Sequence, residues 1–371
     1  MTAVLKIIYL NLRKVILHIM GIFFSHRTSP SDIERVTKFL FIRIDRIGDL
    51  VLSTPAFRGI KAALPKVQLT VMASLGNAPI LKNNPDVDEV IVYDRSAALQ
   101  EKNKFIIGLR SRHFDLAIDP YTDYELKTAW LAGLSGAAHR IGYAAFGREF
   151  FFNCPSPKIE EHKHFVDDAL NLLKHIGIPS ENRNPAIYLA ADEQAWAGQW
   201  LKENGFHGNK IVAIHPGAYY ETQRWLTEYY AELILLIRRQ TQTGIILFGG
   251  PSDAKVVKDI TSKINVDVCV SIQEDIRKFF AILSHCQLLV CNNSGPLHCA
   301  VALNIPTISF MGPTNKNRWM PIGDIHKVFR IDDLPCIGCN LGYCKIITHD
   351  CMRLITPIMI RRAIYQFLNI S

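Results

Sequence analysis

A chain of 371 residues is longer than one average domain, so about two are expected. Its 49% apolar content supplies substantial cores, and a formal charge of +8 suits a polyanionic partner: nucleic acid, anionic lipid, nucleotide or phosphorylated glycan. The sequence has no zinc finger, RNA-binding aromatic motif or long Lys/Arg block, which sets nucleic acid aside.

Residues 1–27 carry Lys6, Arg13, Lys14 and Arg27 and no acidic residue. On a helical wheel Lys6, Asn11, Arg13, Lys14 and His18 fall on one side, and Leu5, Ile8, Leu12, Val15, Ile16, Ile19 and Phe23 on the other. Ile7, Leu10 and Leu17 blur the separation. The most apolar run, residues 15–24, is about half of what a spanning helix needs. Ser25-His26-Arg27 follows it rather than a small-residue cleavage site. This favours a basic amphipathic helix on an anionic membrane face over a spanning or signal segment or a helix packed on the body. Residues 25–31 read as a linker, so residues 1–30 form one membrane-associating segment.

A first α/β unit opens at Phe39. Strand patterns cover residues 39–44, 68–73, 90–93 and 114–118; helices are expected over 50–64, 101–112, 125–134 and 165–176. The stretch 177–185 is rich in Gly, Pro and Asn and places a boundary near 187, giving domains 38–186 and 187–371. The second unit repeats the pattern. Its strands are expected at 210–214, 244–248, 268–271, 288–291 and 307–311, with helices at 227–239, 253–264 and 276–284, a short one from Leu297, and one at the C-terminus. Strand–helix alternation means α/β layers with parallel sheets, here two Rossmann-like domains facing one cleft. In such sheets ligands sit beyond the strands' C-terminal ends.

The loops at those ends carry the candidate chemistry. After the first strand come Arg43, Asp45, Arg46, Gly48 and Asp49. Gly48 permits a tight turn that brings Asp49 to a helix start. Asp49 reads either as a general base beside cations or as an ordinary first-turn acid. In the second unit Pro216-Gly217-Ala218 precedes Gln223-Arg224-Trp225, a turn and a cation suited to a diphosphate; the plainer reading is a surface Arg and a core Trp. Gly249-Gly250-Pro251 follows the next strand, and Asn292-Asn293-Ser294-Gly295-Pro296 opens a helix carrying His298. A small-residue loop entering a helix offers free N–H groups and the positive dipole end, hence an anion site; an ordinary capped βαβ turn is the alternative.

Cys154, Cys269, Cys286, Cys291 and Cys299 are scattered, the usage of reduced thiols in a cytoplasmic protein. Cys336, Cys339, Cys344 and Cys351 are clustered, and their spacing permits a structural zinc or iron–sulfur site, two disulfides or plain thiols. His162 and His164 beside Glu160 and Glu161 read as a solvated loop or helix start rather than metal ligands.

Four motifs in order, RxDRIGDxVLSTPAxRxxKxxxP (43–65), HPGA…RW (215–225), LFGGPxD (247–253) and NNSGPLHxAxALxxPTxxxxGPT (292–314), resemble the bacterial lipopolysaccharide heptosyltransferases of glycosyltransferase family 9. Arg140-Ile141-Gly142-Tyr143 and Cys351-Met352 followed by Ile355-Thr356-Pro357 also match. The resemblance covers residues 39–371 and implies a GT-B fold. It implies an acceptor side with Arg43, Arg46 and Gly48, and Asp49 as the base. It implies a donor side with Pro216, Gly217, Ala218, Gln223, Arg224, Gly249, Gly250, Asn293, Ser294, Gly295, Pro296 and His298.

The implied reaction is an inverting, metal-independent transfer to the lipid A–core, with a nucleotide sugar, ADP-heptose, as the donor and no cofactor. The implied place is the cytoplasmic face of the inner membrane. Gln223 stands where many members have Lys, and Asn293 where many have Asp. Those departures leave two alternatives: another nucleotide hexose as donor, or an inactive sugar-nucleotide-binding scaffold, against which the retained Asp49 argues.

Overall fold

The computed structural model describes residues 3–24, 33–157, 163–208, 210–273 and 275–369. The expected linker at 25–31, and His162, Glu160 and Glu161, lie outside them. The chain forms two compact units, Met1–Arg183 and Asn184–Ser371.

The first unit holds helix α1 (Ala3–Phe24), then strand β1 (Lys38–Arg43), α2 (Ile47–Val51), α3 (Thr54–Ala63), β2 (Gln68–Ala73), β3 (Glu89–Val92), α4 (Leu99–Arg110), β4 (Leu116–Asp119), α5 (Lys127–Leu134), β5 (His139–Tyr143), β6 (Cys154–Ser156) and α6 (Val166–His175). The second holds α7 (Ala191–Glu203), β7 (Ile211–His215), α8 (Thr227–Gln240), β8 (Gly244–Gly249), α9 (Ala254–Thr261), β9 (Cys269–Ile272), α10 (Ile276–Leu283), β10 (Leu288–Asn292), α11 (Gly295–Ala302), β11 (Thr307–Phe310), α12 (Lys316–Trp319), β12 (His326–Phe329), α13 (Asp350–Arg353) and α14 (Pro357–Leu368).

Each unit has one six-stranded, all-parallel sheet. The orders are β3-β2-β1-β4-β5-β6 and β12-β11-β10-β7-β8-β9. These are the same order written in opposite directions, so the progression of strands across the sheet reverses between β1 and β4 in one unit and between β7 and β10 in the other. The register sets Phe39 beside Leu116 and Val290 beside Ile214. The central strands read as continuous apolar runs because helices cover both faces. β7, β8 and β10 are buried throughout. Leu40, Ile42, Met72, Ala117 and Phe152 share one core cluster; Val212, Ile214, Leu247, Val290, Trp225 and Tyr230 share another.

The single helix expected over 50–64 is two helices. Pro55 has no N–H to give the Val51 carbonyl, which accepts the Thr54 hydroxyl at 2.7 Å instead. The chain therefore restarts at α3 with Ser53 as its N-cap and Pro55 in its first turn. Three strands were not expected: β5, β6 and β12. α14 closes the second core with Ile360, Ala363, Ile364 and Leu368.

Candidate functional site

Asp49 is the third residue of α2, partly buried, and its Oδ2 accepts the Arg46 N–H at 3.3 Å. Its carboxyl is pushed up to about 7. Burial is the first cause and the Asp45 carboxylate the second, opposed by Arg43. Gly48 adopts an ordinary helical position inside α2 and is not among the glycines with positive φ. The turn expected of it is made by the extended Arg46 instead.

Arg43, the last residue of β1, is buried under Asp49. Its Nη1 donates to Asp45 Oδ2 at 3.1 Å and its Nε to Ser53 Oγ at 2.9 Å, while Ser53 Oγ donates to the Asp49 carbonyl at 2.8 Å. One cation thus fixes both the neighbouring carboxylate and the backbone of the candidate base. Asn77 Nδ2 donates to the Arg43 and Asp45 carbonyls at 3.1 and 3.3 Å, which locks the loop from the β2 side. Two buried atoms, Arg43 Nη2 and Asp45 Oδ1, have no hydrogen-bond partner among the described residues. A donor and an acceptor left unpaired together cost free energy unless a ligand supplies what they lack. Arg46 is exposed.

The sequence did not single out Asp119, Tyr121 or Arg148. Asp119 ends β4, across the switch point from Arg43, and pairs with Arg148 at 2.5 Å with both side chains fully buried. Arg148 also donates to the Glu125 carbonyl and lies 5.3 Å from the Tyr121 ring centroid. The Tyr121 hydroxyl is held well above its ordinary value by burial first, then by Asp123, Glu125, Asp45 and Asp49. Tyr121 therefore lies within the field of the carboxylates around Asp49.

In the second unit the loop after β7 meets the loop after β10, and Asn292 joins them. Its Nδ2 donates to the Pro216 and Gly217 carbonyls at 2.7 and 3.3 Å. Its Oδ1 accepts the Trp225 N–H at 2.8 Å and the Tyr230 hydroxyl at 3.1 Å. Ser294, the N-cap of α11, places its Oγ 3.4 Å from the Gly217 and Asn292 carbonyls. A Cβ on Gly217 would come within 2.3 Å of the Asp253 carboxylate, so only glycine fits. Asp253 Oδ2 accepts the Gly250 N–H at 3.0 Å and lies 3.8 Å from His215 Nε2, which draws the Gly249-Gly250 turn to the same place. Burial lowers the His215 pKa despite Asp253, so this imidazole is neutral near pH 7.

Asn293 Nδ2 donates to the Trp319 carbonyl at 3.1 Å, and His298, buried in the first turn of α11, stacks near Trp319 with centroids 5.9 Å apart. Gly295 and Pro296 open that turn. Arg224 turns Nε and Nη2 onto the Ala218 carbonyl at 3.0 and 2.9 Å, steadying the turn beside partly buried Gln223. Trp225 is a core residue: its Nε1 donates to the Ile355 carbonyl at 2.8 Å and its ring lies 4.5 Å from Phe310.

Cys336, Cys339, Cys344 and Cys351 lie at different depths. Among the described residues no three His, Cys, Asp or Glu are placed to hold a metal ion, and these four cysteines are free. Cys351 belongs to the second core and packs on Gly312, while Cys339 is exposed. Cys351 is nonetheless pushed up to about 11, by burial first and then by the other three thiols. His164 is buried, and its Nδ1 accepts the Val166 N–H at 3.2 Å.

Comparison with known proteins shows the family and the fold. Residues 103–345 match the model of glycosyltransferase family 9 (heptosyltransferase). A putative glycosyltransferase of Haemophilus influenzae is 26% identical over 308 residues, 78% of this chain and 87% of that protein. The crystal structure of a family 9 glycosyltransferase from Veillonella parvula superimposes with a TM-score of 0.80 at 19% identity, covering 94% of this chain and 100% of that one. The E. coli ADP-heptose lipopolysaccharide heptosyltransferase II gives 0.74 at 22% identity over 90% and 98%. The two parallel sheets are those of the GT-B architecture.

Proposed function

We propose that this chain, which belongs to glycosyltransferase family 9, transfers a heptose from ADP-heptose to a lipopolysaccharide-core acceptor, inverting the anomeric carbon without a catalytic metal ion. The observation that carries this reading is Asp49: a carboxyl held at about 7, at the switch point of its sheet, beside an unpaired donor and an unpaired acceptor. A base works best with a pKa near the operating pH.

In this reading Asp49 takes the proton of an acceptor hydroxyl while that oxygen bonds to the anomeric carbon from the face opposite the diphosphate. The bond from that carbon to the phosphate oxygen breaks, and its electron pair leaves with ADP. Arg43 Nη2 and Asp45 Oδ1 bind acceptor sugar hydroxyls, which supply the partners they lack. The diphosphate is met by the N–H groups of Gly217 and Ala218 and of Gly295 at the start of α11.

The E. coli relative's name supports the donor and the acceptor. Gln223 and Asn293, neutral where many family members are charged, favour a second reading with another nucleotide hexose as donor. The enzyme works at the inner face of the inner membrane as a peripheral protein. Among the described residues no helix is long and apolar enough to cross a membrane, while α1 exposes large apolar side chains.

The test is a panel of ADP-heptose and ADP-, GDP- and UDP-hexoses with a core acceptor. ADP-heptose is expected to bind most tightly and to give a product of inverted anomeric configuration. Preference for a hexose selects the second reading, and no transfer from any donor overturns both.

A further inference from the structure

Among its described side chains, α1 touches the rest of the first unit around Arg13 and Leu17. Arg13 Nη2 donates to the Tyr124 carbonyl at 2.6 Å and to the Phe146 carbonyl at 2.8 Å, and Nε donates to the Phe146 carbonyl at 3.1 Å. Beside it Leu17 and Lys14 lie against Gly147, whose φ is +87°. A Cβ there would meet Leu17 Cδ1 at 2.9 Å and Lys14 Cα at 3.5 Å, so the helix sits directly on backbone. Leu10, Arg13 and Leu17 are the partly buried residues of this arc.

Both contact points adjoin the buried ion pair. Tyr124 precedes Glu125, whose carbonyl accepts from Arg148, and Phe146-Gly147 leads into Arg148 itself. Arg148 holds Asp119 and lies over Tyr121, which feels the charges of Asp45 and Asp49. A run of contacts therefore joins α1 to the Asp119–Arg148 pair and Tyr121, and from there only the charge of the base reaches on.

The opposite arc is uncovered. Leu5, Ile8, Leu12, Val15, Ile16 and Met20 are 40–59% exposed; at 100° per residue they span an arc of roughly 140°. Residues 1–27 carry four Lys or Arg and no acid. An apolar stripe on a basic, acid-free helix that does not span fits the surface of an anionic bilayer.

We infer that α1 couples lipid to acceptor binding: a bilayer seated on the Leu5–Met20 stripe orders, through Arg13, the 121–125 and 144–148 loops that hold Asp119, Tyr121 and Arg148. Arg13 is a positioning residue. The inference rests on the membrane-associated reading given under the proposed function.

Hydrogen exchange on the full chain, with and without phosphatidylglycerol vesicles, tests it. In the wild type, vesicles are expected to slow exchange several-fold in segments 121–128 and 144–152. Arg13→Ala is expected to bind vesicles equally well but to lose that response, with Arg13→Lys restoring part of it. In turnover, Arg13→Ala raises KM for the acceptor several-fold and leaves donor KM unchanged. Leu12→Glu/Ile16→Glu abolishes vesicle binding.

An unchanged exchange pattern in vesicle-bound wild type, or an equal response in Arg13→Ala, overturns the coupling. So does vesicle binding that survives Leu12→Glu/Ile16→Glu, with sedimentation showing the stripe covered by a second copy. If the exchange response is present but no sugar is transferred, the proposed activity falls and the coupling stands.

Discussion

The two switch-point loops share a strand order and differ in chemistry. In the first unit the loop after β1 is crowded with charge, Arg43, Asp45 and Asp49, and leaves buried polar atoms unpaired. In the second the loop after β7 is tied down by Asn292, which satisfies two carbonyls, an N–H and a hydroxyl, although His215 Nδ1 at its start is also buried with no hydrogen-bond partner among the described residues. One topology thus carries a carboxyl raised by burial and a neighbouring charge in one unit and a hydrogen-bonded loop in the other. A group whose pKa must be tuned needs uncompensated neighbours, whereas an anion cradle needs preorganisation.

The largest expected effect breaks the first half of that contrast. Asp49→Asn keeps the shape and removes the base, and kcat is expected to fall by about 10²–10⁴-fold with donor affinity unchanged in calorimetry; a kcat within a few-fold of wild type removes Asp49 from the mechanism. Stability separates the two units next. Arg148→Ala strands Asp119 and is expected to cost about 3–5 kcal/mol in urea unfolding. Asn292→Ala strands the Pro216 carbonyl, the Trp225 N–H and the Tyr230 hydroxyl, at about 1–3 kcal/mol. It is expected to weaken ADP binding, which Arg148→Ala leaves intact.

The pH dependence is smaller and sharper. Asp49 is raised to about 7 in the folded chain from an ordinary carboxylate value of 3.8. Between those limits the folded state holds the extra proton, so its stabilising share is complete below the lower value and is lost as pH rises through the upper one. Activity runs the other way: kcat/KM is expected to rise with pH, with its acid limb near 7. Asp45→Asn removes an upward push and frees Arg43 to act on Asp49, moving that limb below 7; a limb that does not move excludes Asp45 as the tuning group. The smallest effect is at Gln223→Lys, expected to tighten ADP binding by about 1 kcal/mol, a charge-assisted contact partly screened by solvent.

Much of this was legible in the sequence. The apolar runs and Gly/Pro punctuation located the central strands, because strands covered on both faces have no alternation to confuse. The strands it missed are marginal as patterns: β6 is three residues with a proline, β12 is a partly buried edge strand, and β5 reads His-Arg-Ile-Gly-Tyr. Asp49 was legible because motif and local helix start coincide there. Asp119 and Arg148 were not, because they are 29 residues apart and meet only after the sheet forms. Asn292 was quoted within the loop motif but not as a site residue, since its hydrogen bonds reach back 62–76 residues. The four clustered cysteines show the converse: close spacing in sequence did not bring them to one depth.

The C-terminal helix has a consequence for synthesis. Every strand of the first sheet precedes Arg183, so that unit holds all it needs to fold while the second is still on the ribosome. The second unit has no such head start: Ile360, Ile364 and Leu368 of α14 seal its core, and Lys210 at the head of its first strand donates to the Leu368 carbonyl. Its apolar interior therefore stays open until α14 has emerged, which makes the nascent second half the stage of biogenesis most exposed to chaperones and proteases.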